Sequence, residues 1–79
     1  MTAKITKDEL FLITLAKLAK KDTETSIDRY EVGQAIKQNN KSVDNTVQIL
    51  VKTHFVKRSE GNLIRITDHG LRLVESLGF

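Results

Sequence analysis

Apolar residues return at three- and four-residue steps in four stretches of the chain, and β-branched residues crowd a fifth. Thr6 with Glu9 three positions later is a capping-box signature, so a helix is predicted from about Lys7 to Lys21. At about 100° per residue, Phe11, Leu12, Leu15, Ala16, Leu18 and Ala19 share one broad face, and Thr14, Lys17, Lys20 and Lys21 lie opposite. Leu10 and Ile13 fall on that polar side, either as tolerated surface hydrophobes or as a contact with a second subunit. The polar run from Asp22 to Ser26 ends the pattern. Asp28 and Glu31 mark a second helix start, with Val32, Gly33, Ala35 and Ile36 turned inward up to about Gln38. A glycine in mid-helix costs about 1 kcal/mol relative to alanine, so Gly33 predicts that a neighbouring helix comes close.

The asparagines of Lys37-Gln38-Asn39-Asn40-Lys41 favour a turn, after which Ser42 is the expected N-cap of a third helix reaching about Thr53. Val43, Val47 and Leu50, with Val51 at the margin, form its inner face, and Asp44, Asn45, Gln48 and Lys52 its outer one. Phe55 to Thr67 reads as a β-hairpin turning at Glu60-Gly61-Asn62. Thr67 or Asp68 then caps a last helix that gathers Leu71, Leu73, Val74 and Leu77 on one side. The order predicts a single α+β domain over residues 1–79, mostly α. It is a winged helix-turn-helix with a three-helix core, a two-stranded wing and a C-terminal helix.

Composition narrows the chemistry. With no cysteine and only His54 and His69, neither a disulfide framework nor a Cys/His zinc site can be assembled, so no metal or cofactor is expected. No serine or threonine has a local motif pairing it with a base, and four scattered glycines make no phosphate loop, so no catalytic residue and no enzyme is expected. No small-molecule ligand site is evident. The start lacks the apolar run of a signal peptide and no stretch reaches the roughly 20 residues of a membrane span, which makes a cytoplasmic protein the expectation. The net charge of +3 is mild, but its distribution is not even. Residues 1–36 are neutral and residues 66–79 carry −1. Residues 37–65 carry +4, from Lys37, Lys41, Lys52, Lys57, Arg58 and Arg65 against Asp44 and Glu60. The excess therefore lies on the turn, the third helix and the hairpin.

The chain resembles the winged-helix transcription regulators of bacteria and archaea, especially the small domains of the antibiotic-resistance-repressor type. Ser42-Val43-Asp44-Asn45-Thr46-Val47-Gln48-Ile49-Leu50-Val51 resembles their recognition helix, Phe55-Val56-Lys57-Arg58 the entry to the wing, and Ile66-Thr67-Asp68-His69-Gly70 its exit. The resemblance implies sequence-specific binding of double-stranded DNA. The third helix (Ser42 to Thr53) would enter the major groove, and the wing (Phe55 to Thr67) would lie on the backbone or minor groove. Two departures stand out. His54 occupies the helix-closing position where the family has Gly or Asn, and it reads as structural because histidine tolerates a left-handed backbone. The recognition face has no arginine and includes Asp44, which repels phosphate. Base readout would fall to Asn45 and Gln48, amides that can pair with adenine, and to Ile49, which can touch a thymine methyl. Lys37, Lys41, Ser42, Lys52, Lys57, Arg58 and Arg65 are the expected backbone contacts, with Gln38 also within reach. One short helix reads few base pairs, so a homodimer is expected, with Leu10, Ile13 and Phe79 as its contact residues. The alternative is a winged-helix module that binds protein rather than DNA, an adaptor or a subunit of a larger assembly, which would suit Asp44, Ile49 and the modest charge.

Overall fold

A computed structural model describes residues 5–79. Its elements are α1 (Lys7–Leu18), β1 (Ile27–Asp28), α2 (Arg29–Ala35), α3 (Asn40–Lys52), β2 (Val56–Arg58), β3 (Leu63–Ile66) and α4 (Asp68–Ser76). This is the winged helix-turn-helix expected from the sequence, with one addition. The sheet has three antiparallel strands in the order β1-β3-β2, so the hairpin's second strand is central and Ile27–Asp28 completes its free edge. Two residues are too few to show a strand's alternation, which is why the sequence showed only the hairpin.

α1 starts at the capping box: the Thr6 amide donates to Glu9 Oε1 at 2.9 Å, and the Glu9 amide donates to Thr6 Oγ1 at 3.1 Å. The helix then runs through the middle of the fold, against α2, α3, α4 and β3. Being covered on several sides, it buries more than one face. Ile13 is only 2% exposed and belongs to the main core with Phe11, Leu12, Leu15 and Ala16. The expectation that Ile13 points to a second subunit is therefore corrected. A helical wheel assumes one covered side, and α1 has several neighbours.

Every helix closes in the same way. The amide two residues past the cap bonds back five residues, and the one before it bonds back three, the pattern of the Schellman motif. These pairs are Lys21 to Ala16 with Lys20 to Lys17, Gln38 to Gly33 with Lys37 to Gln34, Phe55 to Leu50 with His54 to Val51, and Phe79 to Val74 with Gly78 to Glu75. The motif needs a left-handed residue, and only α4 supplies glycine there; Lys20, Lys37 and His54 adopt φ of 53°, 57° and 64° instead. His54 is thus the helix-closing residue its position implied. The same closures shorten α1 and α2 relative to the predicted ends at Lys21 and Gln38.

α3 begins earlier than predicted. Asn39, not Ser42, is its N-cap, with the Asn39 carboxamide oxygen accepting from the Ser42 amide at 2.8 Å. Both residues are good caps, and the tight closure of α2 at Lys37 brings the chain round early enough for the first to act. α3 lies on α2 at Gly33, where an added Cβ would sit 2.3 Å from Val43 Cγ2. Beside that contact the Gln38 amide nitrogen donates to Ser42 Oγ at 2.7 Å and to Thr46 Oγ1 at 2.9 Å. At the other end of α3, Thr67 caps α4 and its hydroxyl donates to the His54 carbonyl, while Phe55 stacks on His69 at 4.6 Å. The wing is thereby tied to the end of α3.

Gly33→Ala is expected to destabilise the protein by about 1–3 kcal/mol, the usual range for overfilling a packed contact. Chemical denaturation measures it, and an unchanged midpoint would show that α2 and α3 can separate without loss.

Candidate nucleic-acid interface

Lys41, Asn45, Gln48 and Lys52 are spaced by four, three and four residues along α3, so they form one row on the face opposite the buried Val43, Thr46, Val47 and Leu50. All four are exposed. The row is about 16 Å long at the helical rise of about 1.5 Å per residue, and it places two amides between two ammonium groups. Ile49 stands beside this row. It is 47% exposed and borders an apolar groove with Leu12, Leu50, Phe55 and Leu73, where Asp8 and Glu9 of α1 form the rim.

Asp44 lies on the flank of α3 that meets α2. Its carboxylate accepts from the Tyr30 hydroxyl at 2.8 Å and lies 3.6 Å from Arg29 Nη1. The guanidinium is only 12% exposed at its side chain, whereas Asp44 is 51% exposed. A half-exposed pair of this kind adds at most about 1 kcal/mol to stability. Its larger effect is on charge, because the one acidic group of α3 is matched by a cation and a donor from α2. The sequence suggests for Tyr30 a surface or second-helix packing place with a hydroxyl that could meet a phosphate. The hydroxyl is bonded to Asp44 instead, and a contact between residues 14 and 15 positions apart, across a turn, leaves no periodic trace.

The other expected backbone contacts divide into two groups. Lys37, Lys41, Lys52, Lys57 and Arg58 are exposed and make no ion pair among the described residues. Lys37 sits at the closing turn of α2, immediately before α3, and Arg58 ends β2 beside the Glu60-Gly61-Asn62 tip, where Gly61 takes a φ of 58°. Ser42, Gln38 and Arg65 are committed elsewhere. Ser42 accepts from Gln38, and Gln38 is buried at 9% exposure, which removes it from the backbone contacts. Arg65 stands opposite Lys57 on the outer face of the sheet, 3.7 Å from Glu24.

Of the expected subunit contacts, Leu10 is 43% exposed on α1, near the half-exposed Thr14. Phe79, at 40%, has contacts within its own chain: its ring lies 5.2 Å from Lys17 Nζ, and Lys21 Nζ donates to its carbonyl. Among the described residues no group of three or more His, Cys, Asp or Glu is placed to hold a metal, and no helix is long and apolar enough to cross a membrane.

No protein-family model matches the chain, and no curated protein matches it. Among solved structures it is similar to the PcaV transcriptional regulator from Streptomyces coelicolor, determined in complex with its natural ligand. The two share 23% identity with a TM-score of 0.72, over 99% of this chain and 57% of PcaV. The likeness shows the winged-helix fold, in a chain that spans little more than half of its neighbour's length. PcaV is a regulator rather than an enzyme, and it carries a ligand where the sequence here suggested none.

The bond to Asp44 holds the Tyr30 proton and raises the phenol above its ordinary value near 10, with desolvation and the carboxylate's charge acting in the same direction. A raised acid contributes stability that is complete below about pH 10 and is lost as pH rises through the folded-state value. Tyr30 is the lone tyrosine and the chain has no tryptophan, so tyrosinate absorbance reports it directly. The titration midpoint of the wild type is expected above that of Asp44→Asn. Identical midpoints would show that the bond is not formed in solution.

Proposed function

We propose that the protein is a sequence-specific DNA-binding transcription regulator. α3 enters the major groove, and the tip of the wing lies on the flanking backbone or minor groove. The observation that carries this reading is the row Lys41-Asn45-Gln48-Lys52, free of a competing carboxylate because Asp44 is held at its edge by Arg29 and Tyr30. Asn45 and Gln48 are the base readers, as donor-acceptor amides that pair with adenine, and Ile49 is an apolar flank for a thymine methyl. Lys37, Lys41, Lys52, Lys57 and Arg58 neutralise phosphates and release counterions. Ser42 and Arg65 have weaker claims, since their polar groups already have partners within the chain. A two-fold dimer would place two such helices about one turn of DNA apart. Leu10, exposed on α1, is its leading contact, with Phe79 beside its own lysines as a lesser one.

The second reading is a protein-binding module. It is favoured by the apolar groove between the start of α1 and the end of α3, which an apolar segment of a partner would fill.

Titration with duplex DNA across salt concentrations separates the two. Affinity should fall steeply as salt rises, with a logarithmic slope of roughly −0.9 per phosphate neutralised. No binding at low salt would reject the DNA reading. Asn45→Ala with Gln48→Ala should bring preferred and random duplexes to similar affinity, each good base contact supplying about 1–3 kcal/mol of discrimination. Arg58→Ala should instead weaken all duplexes alike. If both changes act equally on every sequence, the amides do not read bases.

For the assembly, light scattering at micromolar concentration should give a dimer mass for the wild type and a monomer mass for Leu10→Glu. A monomeric wild type would remove the two-fold model.

A further inference from the structure

Arg29 begins α2 and touches both other parts of the proposed DNA face. Its backbone amide donates to the Asn62 carbonyl at the wing tip at 3.0 Å, and its Nε approaches the same oxygen at 3.5 Å. Nη1 faces Asp44 of α3, whose carboxylate is also bonded by the neighbouring Tyr30 hydroxyl. One guanidinium, on a side chain only 12% exposed, is therefore shared between a backbone oxygen of the wing and the acid of α3. The Arg29 side chain is mostly covered and its polar groups already face acceptors of the fold, unlike the exposed lysines of α3. A planar fork suits this position, because Nε and Nη1 are held in fixed directions, one toward the Asn62 carbonyl and the other toward Asp44.

We infer that Arg29 is a positioning residue for DNA binding. It joins the wing tip to α3 and cancels Asp44, while Tyr30 fixes the carboxylate on the α2 side, away from the Lys41–Lys52 row. The inference rests on the DNA-binding reading above and adds two residues that contribute without touching DNA. Left unmatched, Asp44 would stand on the reading helix as an anion facing a polyanion. Arg29 removes that repulsion from within the fold.

The test uses Arg29→Met, Asp44→Asn and the double variant, each checked for folding by circular dichroism, with Arg29→Gln replacing Arg29→Met if the latter is unfolded. Arg29→Met should weaken binding to every duplex at low salt by roughly fivefold, the scale of one unscreened charge contact in water. The double variant should return to within about twofold of wild type, because the repulsive charge has gone with its partner. A double variant as weak as Arg29→Met would overturn the inference, because the loss would then not come from an unmatched Asp44. Unchanged binding in Arg29→Met would overturn it as well.

A readout without DNA tests the clamp itself. Loss of the Arg29 charge should move the Tyr30 phenol further up, since that cation opposes the carboxylate's effect, and the further loss of Asp44 should bring it down. A phenol midpoint indifferent to both changes overturns the clamp. A wild type that binds no duplex overturns the functional reading beneath it, and the phenol titration distinguishes that failure from failure of the clamp.

Discussion

The contact between Gly33 and Val43 is the constraint on which the rest of the molecule depends. A bare Cα lets α3 settle on α2 so closely that any side chain at residue 33 would collide with Val43. Three consequences follow from the same close approach. Val43, Val47 and Leu50 reach the core that α1 organises. Gln38, in the turn between the helices, comes within hydrogen-bond distance of Ser42 and Thr46, and its amide nitrogen donates to both hydroxyls. Asp44 arrives beside Arg29 and Tyr30. The orientation of the outward row of α3 is thus fixed on its inner side by packing and on its α2 flank by hydrogen bonds.

Charge is arranged on the same principle. The protein is only mildly basic, and two of its carboxylates are matched by the half-buried arginines Arg29 and Arg65. The lysines of α3 and the adjoining turn and wing are left without partners among the described residues. A net charge of +3 therefore understates the field along α3, whose one acid, Asp44, is matched by Arg29; the other acid of residues 37–65, Glu60, stands at the wing tip. Arg29 and Arg65 serve the fold, while Arg58 and the lysines of this face point outward. In the DNA-binding reading proposed above, base discrimination would fall to two amides of α3, and attraction to exposed cationic groups.

Much of this could be read from the sequence, because the controlling interactions are local. The Thr6–Glu9 box, the Asp28 and Thr67 caps, the glycine turn of the hairpin and the left-handed His54 each involve residues within a few positions of one another. Gly33 was legible for a related reason, as a residue whose helical cost demands a neighbour. The features that escaped depend on tertiary placement. Ile13 looked misplaced because α1 is covered on several sides. The choice of Asn39 over Ser42 as cap depends on how sharply α2 ends, and the strand at Ile27–Asp28 exists only because β3 lies alongside it. Arg29 counted as one cation in a neutral half of the chain, and only the fold brings it to Asp44.

The account turns on which surface meets DNA, and amide NMR spectra of the protein titrated with duplex DNA address that surface residue by residue. Perturbations confined to Lys37, to Lys41, Asn45, Gln48, Ile49 and Lys52 of α3 and to the wing from Lys57 to Asn62, with Leu15 and Val74 unmoved, are the predicted result. Perturbations centred instead on the groove of Leu12, Phe55 and Leu73, or none at all, would contradict it.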